Sequence, residues 1–492
     1  MIAAYRLPKM WNTYLPYALG ITGNAAFNIA LISLLTHQLV PAVYGDYTVF
    51  VTVIVLASAV VGQWLQQATG RYLAGCTAPA SDYTKAAVLL GLGGVLLALS
   101  AICLFAALLD LLHRTTDSEL WLAAVVSVAA QVPFTLVGTM LQSEQRAWSY
   151  ALLQTCSGSL KIGLSLLVCR VAQQDVGGIL YACAAAQCVG VAFGASRAGL
   201  FSKAISQKLK SRRTRVLLCK LRAYGGAMTV WFIFMNLAMY CDRLLVRAFA
   251  GSASAGLYGA ASTLVVGSVS LVMAPILAVT WPNLMAAWNG RNEQAASRLL
   301  GNMLTVLLCA GVTLVAIVNA VAVPATRLFL GEKFAAAAPL LPLLTASAFS
   351  FSLGTLFHKP LEFKEKKVTM CVFAAAVLLL NGLLSSVFTP RLGAIGAGVA
   401  ALLSGSSYCA LCAWRGRQIV RWRIQLDLLA VVTGLAAGAS IAVNLLSTSW
   451  HLEGNLLMLV AVTSAFGAMF GPGLAVAVLL HANHRAQTQT IK

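Results

Sequence analysis

Long apolar runs separated by short polar segments make up almost the whole chain. A bilayer core about 30 Å thick is crossed by ~20 residues of helix, and runs of that length, nearly free of charge, recur fourteen times. The first seven cover 14–39, 47–70, 86–112, 119–141, 149–171, 177–200 and 224–250. The second seven cover 255–282, 300–324, 335–358, 368–389, 393–414, 425–446 and 455–481. They are apolar on every side, without the alternating polarity of a membrane β-strand. The pattern predicts an all-α polytopic membrane protein with 14 transmembrane helices. Polar segments between the runs stay under roughly 25 residues, too short to bury a core of their own. A soluble catalytic domain is therefore excluded.

Composition agrees with that picture. Of 492 residues, 60% are hydrophobic and only 10% charged, and the mean hydropathy is +0.83. Thirty-four Lys and Arg against 14 Asp and Glu leave a net charge of +20. In a soluble protein that balance points to nucleic acid; here the charges lie between membrane spans and point to topology and to anionic lipid head groups. With the N-terminus inside, most basic residues fall on inner segments, so the positive-inside rule predicts both termini in the cytoplasm. Arg6 and Lys9 precede the first span in the manner of a signal peptide, but that apolar run is too long for one and is followed by others. The densest basic segment runs from Arg197 to Arg222 and divides the chain nearly in half. A topological anchor and a contact for anionic lipid are both compatible with it. The 12 cysteines are scattered as small hydrophobes. Cys409 and Cys412 form a lone C-x-x-C without a second pair or a His cluster, and neither metal nor cofactor is expected.

Two short patterns recur across the basic divide. Gly45-Asp46-Tyr47 follows the first span and Gly256-Leu257-Tyr258 follows the seventh; Asp175-Val176-Gly177-Gly178 precedes the sixth and Ala394-Ile395-Gly396-Ala397 opens the twelfth. The two offsets are nearly equal, which predicts pseudo-symmetric lobes of six helices each. The N-lobe is 1–200 with spans one to six, the basic linker 201–223, and the C-lobe 224–414 with spans seven to twelve. Spans thirteen and fourteen and a cytoplasmic tail, 415–492, lie outside the repeat. Repeats of this kind place a substrate path between the lobes in transporter folds.

Four stretches carry a family resemblance. Leu34-Leu35-Thr36-His37-Gln38-Leu39-Val40-Pro41-Ala42-Val43-Tyr44-Gly45-Asp46-Tyr47 resembles the first-loop pattern of polysaccharide-repeat (Wzx-like) flippases of the MOP exporter superfamily. Asp242-Arg243-Leu244-Leu245 followed by Ala255-Gly256-Leu257-Tyr258-Gly259-Ala260-Ala261 is similar to that family's seventh-to-eighth helix passage. Leu330-Gly331-Glu332-Lys333-Phe334, with Ala336-Ala337-Ala338-Pro339-Leu340-Leu341 behind it, resembles the ninth-to-tenth connection. Pro390-Arg391-Leu392-Gly393-Ala394-Ile395-Gly396-Ala397 resembles the twelfth-helix entrance. Their joint order and spacing carry the likeness. It implies a MATE/MOP-like fold and a non-enzymatic flippase. Its cargo would be an undecaprenyl-diphosphate-linked oligosaccharide, moved from the inner to the outer leaflet of a bacterial inner membrane for exopolysaccharide, O-antigen or capsule synthesis. Membrane lipids, a polysaccharide polymerase and a chain-length regulator are the partners such a role implies.

A diphosphate with sugars attached crosses a bilayer only if fixed cations and hydrogen-bond donors replace its hydration. Lys161 lies near the middle of the fifth span, where a charge costs ~2.5 to 3.5 kcal/mol on insertion scales. A cavity lining and a structural pair with another helix are the two roles open to it. Arg243 and Arg247, one turn apart on the seventh span, share a face and approach the outer leaflet, with Asp242 as their neighbour; a substrate contact and a self-neutralised cluster fit equally well. Arg71, at the inner end of the second span, serves topology or meets the diphosphate at a cytoplasmic gate. Asn24, Asn28, Gln63 and Gln66 supply amides that suit sugar hydroxyls or pair helices. Asp242 is the carboxylate deepest within a span and the candidate for ion coupling.

Rival readings follow the same chemistry. A lipid-II-type flippase differs only in cargo. A cation or drug antiporter of the same superfamily needs carboxylates in its cavity, where this chain offers lysine. A membrane polymerase or glycosyltransferase needs an acid, base or metal site on a sizeable outer loop, and no such loop is present in the sequence.

Overall fold

The computed structural model describes residues 2–449 apart from positions 75, 78, 114–117, 173–174, 291 and 365. Every regular element within them is helical. In chain order these are α1 (Ile2–Gln38), α2 (Pro41–Leu73), α3 (Ala80–His113), α4 (Ser118–Ser143), α5 (Ala147–Val171), α6 (Val176–Arg197), α7 (Lys203–Lys208) and α8 (Arg212–Asn289). Then come α9 (Glu293–Ala320), α10 (Ala322–Leu330), a 3-10 turn (Glu332–Ala337), α11 (Leu340–Phe357), α12 (Lys359–Phe363), α13 (Lys367–Leu392), α14 (Ala394–Arg417) and α15 (Leu426–Ser449). Among the described residues 11 helices are long and apolar enough to cross a membrane, and Leu426–Ile441 adds a shorter apolar stretch. The all-α, multi-pass architecture is borne out. The fourteenth expected span, 455–481, and the tail lie outside the described residues.

Local chemistry explains most boundaries. Pro41 opens α2, where its missing N–H is no loss. Asp175 caps α6 by accepting from the Gly178 amide at 2.9 Å, Ser202 caps α7, and Asn292 caps α9. The 78 residues of α8 would reach about 117 Å if straight, far beyond a bilayer. Gly251, at φ 83° and ψ 174°, breaks it between the seventh and eighth expected spans. Two differences from the sequence reading stand out. Part of the basic linker is helical: α7 occupies Lys203–Lys208, where Lys208 pairs with Asp82 at 2.7 Å, and α8 begins at Arg212. The ninth span ends at Ala320 rather than 324, because α10 starts as a separate helix that buries Ala322, Pro324, Thr326 and Leu330.

The chain forms two compact units. The first comprises Met1–Ala260 with Glu365–Ala400, the second Ala261–Lys364 with Ala401–Lys492. Within the first, α1 packs along α5, α4 along α6 and α2, and α5 along α6. Apolar clusters around Val128 and Val132, and around Leu65 and Met140, fill the space between them. Between helices already in lipid, association depends on close fit, and small residues supply it: Gly158 faces the Phe27 ring, and Gly190 faces Ser157 and Phe134. The recurring glycines Gly45 and Gly256 meet one another where α2 crosses α8. A methyl group on Gly45 would overlap the Ser252 carbonyl, and one on Gly256 would overlap the Pro41 carbonyl. Within the second unit α9 packs against α15 and α11, with the Phe349 ring seated on Gly311.

Candidate functional site

Lys161 sits on α5, which lies among α1, α4 and α6. Its amine is 5.6 Å from the centre of the Phe134 ring and within electrostatic reach of the Cys183 thiol. Among the described residues no carboxylate pairs with it. Cys183 lies 3.9 Å from the Ser165 hydroxyl and also hydrogen-bonds with the hydroxyl of Tyr47 on α2. The Tyr47 ring is 5.6 Å from that of Tyr44, and Tyr44, buried, lies within electrostatic reach of Arg243. Cys183, Tyr47 and Tyr44 thus lie in series between the two deep cations of the first unit, with Lys161 in electrostatic reach of one end and Arg243 of the other. On the adjoining α4–α6 face, Gln187 donates to Gln131.

Arg243 is 5% exposed, and its guanidinium lies 5.3 Å from the centre of the Tyr240 ring. Beside it Asp242, 4% exposed, accepts from the Tyr258 hydroxyl at 2.8 Å and from the Asn381 amide at 2.6 Å. The same Asn381 amide donates to the Ala238 carbonyl at 2.8 Å. Asp242 therefore ties both arms of α8 and α13 together. Buried polar groups of this kind are costly to leave unmade, so Asn381→Leu is expected to destabilise the protein by about 1 to 3 kcal/mol. Thermal unfolding in detergent checks this; an unchanged Tm would show that the network contributes nothing.

The remaining candidates disperse. Arg247 is exposed and pairs with Asp46 at 3.1 Å rather than with Asp242. Arg71 is exposed in the last turn of α2, 4.9 Å from the centre of the Tyr224 ring. Asn24 and Asn28 are half-buried on α1, and Gln63 and Gln66 half-buried on α2. Among the described residues none of these four joins another helix through its side-chain amide.

With the geometry in place, the sequence profile described as "Polysaccharide biosynthesis protein" matches residues 14–288, more than half of the chain. The chain belongs to the polysaccharide biosynthesis protein family. Its family resemblance, read from four short motifs, is borne out. No curated protein sequence matches the chain. Among solved structures, the lipid II flippase MurJ in an inward closed conformation is similar with a TM-score of 0.69 at 13% identity, over 93% of this chain and 99% of that one. An inward-facing multidrug resistance MATE transporter of the MOP superfamily gives 0.63 at 17% identity, over 81% and 94%. A MOP superfamily transporter from Pyrococcus furiosus, described as having a binding pocket of reverse polarity, gives 0.55 at 15% identity, over 82% and 94%. These likenesses show the fold, that of MOP-superfamily transporters.

Four side chains near the candidate residues in this member of the family are not singled out by the sequence. Tyr44 and Tyr47 stand inside the first-loop motif, where nothing in the sequence sets them apart from its other residues. Asn381 is a lone amide in an apolar span, the same signal that drew attention to Asn24 and Asn28. Cys183 had no signal at all, since its significance comes from the lysine across the helix boundary.

Proposed function

We propose that this protein moves an undecaprenyl-diphosphate-linked oligosaccharide repeat unit from the inner to the outer leaflet of the bacterial inner membrane by alternating access. The observation that carries the reading is Lys161, a lysine at mid-span that lies over an aromatic ring and, among the described residues, pairs with no carboxylate. Insertion of such a charge costs ~2.5 to 3.5 kcal/mol, and an anionic cargo offsets that cost during transport. The pairing also disfavours a cationic cargo: within the first unit Asp46, Asp82, Glu144 and Asp242 are already engaged by protein groups.

Lys161 and Arg243 receive the diphosphate, with Tyr44 and Tyr47 between them offering hydroxyls and ring faces to the sugars. Asn24, Asn28, Gln63 and Gln66 meet sugar hydroxyls as the cavity opens, Arg247 releases Asp46 to contact the departing cargo, and Arg71 serves at the cytoplasmic end. Asp242 is the ion-coupling candidate. Both termini lie in the cytoplasm. The protein performs no bond chemistry; a polymerase and a chain-length regulator take over the transferred unit. The test is reconstitution in liposomes with a fluorescent undecaprenyl-diphosphate-linked oligosaccharide, its outer-leaflet fraction read by quenching. Transfer should accelerate with protein, and a rate equal to that of empty liposomes would sink the reading.

A further inference from the structure

Away from the Lys161–Arg243 run, three helices of the first unit bring two cations to one aromatic ring. Tyr224, on the early part of α8, has the Arg71 guanidinium 4.9 Å from its ring centre and the Lys367 amine 5.4 Å from it. Arg71 belongs to the last turn of α2 and Lys367 to the first turn of α13. The Tyr72 ring meets Tyr224 edge-on at 5.8 Å and fixes its orientation. Among the described residues no carboxylate pairs with Arg71 or Lys367; the ion pairs of this unit join Asp82 to Lys208, Glu144 to Lys85 and Arg146, and Asp46 to Arg247. Two like charges converging on one ring repel each other, and a cation–π contact returns only about 0.5 to 1 kcal/mol at an exposed site, so an anion is what the arrangement accommodates best.

All three helix ends fall on the side that the positive-inside pattern assigns to the cytoplasm. At that depth the available anions are phosphate esters carried by lipids. We infer that Arg71, Lys367 and Tyr224 form a binding site for the phosphate or diphosphate head of a lipid at the inner surface, separate from the Lys161–Arg243 run. The inference deepens the transport reading and rests on it: a carrier lipid docks here by its head before its sugars enter. The same chemistry is offered by an anionic phospholipid, and the two sources are separable.

The test uses the full chain in phosphatidylcholine nanodiscs, with geranylgeranyl diphosphate as one probe and phosphatidylglycerol, exchanged into the disc, as the other. Affinity is measured for the wild type, for Arg71→Ala with Lys367→Ala, and for Tyr224→Phe, which keeps the ring; Tm establishes that each variant is folded. The double variant should bind at least one probe ten-fold or more weakly, and Tyr224→Phe should bind as the wild type does. Loss confined to the diphosphate probe assigns the site to the carrier lipid, and loss confined to phosphatidylglycerol assigns it to the bilayer. Binding unchanged by the double substitution overturns the site alone. A wild type that binds neither probe overturns the site and counts against the transport reading as well.

Discussion

Replacing Lys161 by alanine is expected to abolish polymer export while the protein stays in the membrane at normal abundance. A charged hydrogen bond to a phosphate contributes roughly 1.5 to 3 kcal/mol, which corresponds to about 10- to 100-fold in affinity, and the loss falls where no other cation of α5 can substitute. The stability change separates this role from a structural one. If the amine held two helices together, alanine would loosen them; because it lies over a ring and, among the described residues, pairs with no carboxylate, alanine removes an unfavourable charge instead. Tm in detergent is therefore expected to stay level or rise as export falls. Lys161→Arg, which keeps the charge on a bulkier head, should retain part of the activity. Normal export by the alanine variant would end the assignment, and a lowered Tm would make Lys161 a packing residue.

Gly256→Val should have the largest effect on folding. The position leaves no room: the new side chain would drive into the Pro41 carbonyl, and backbone cannot rotate away as a flexible side chain does. Overpacking costs typically about 1 to 3 kcal/mol, and a rigid neighbour puts this case at the upper end. The variant should lose most of its monodisperse peak in size-exclusion chromatography. Gly226→Val, on the same helix at a position with open space around it, provides the control and should express normally. Equal behaviour of the two variants would show that the α2–α8 crossing is not tight.

How much of this was legible beforehand differs from residue to residue. Lys161 and Arg243 could be found because charge in an apolar run is conspicuous, whatever the fold. Arg247 was legible as a cation but not as the partner of Asp46, because the two are brought together only by the α2–α8 crossing. A substrate contact and a self-neutralised cluster are both open to Asp242 and Arg243 from spacing alone; the hydrogen bonds that the carboxylate takes from Tyr258 and Asn381 come from residues far along the chain that nothing in local spacing connects to it. The break in α8 was expected as a short connection between two spans, and its form, a single glycine at positive φ, is a detail that sequence spacing alone does not resolve.

The sequence by itself determined the helical, membrane-spanning architecture and the location of its deep charges, because the bilayer acts on each segment separately: length, hydropathy and charge are properties of a run of residues taken alone. Family membership was legible for a related reason, since its motifs are local strings. Only the tertiary structure decided which side chains keep company, that Cys183, Tyr47 and Tyr44 lie in series between Lys161 and Arg243, that Gly45 meets Gly256, and that Arg71 and Lys367 share Tyr224. Inside lipid, helices are held together by close fit and by a few hydrogen bonds rather than by a hydrophobic stripe, so the choice of partners leaves no periodic trace along the chain.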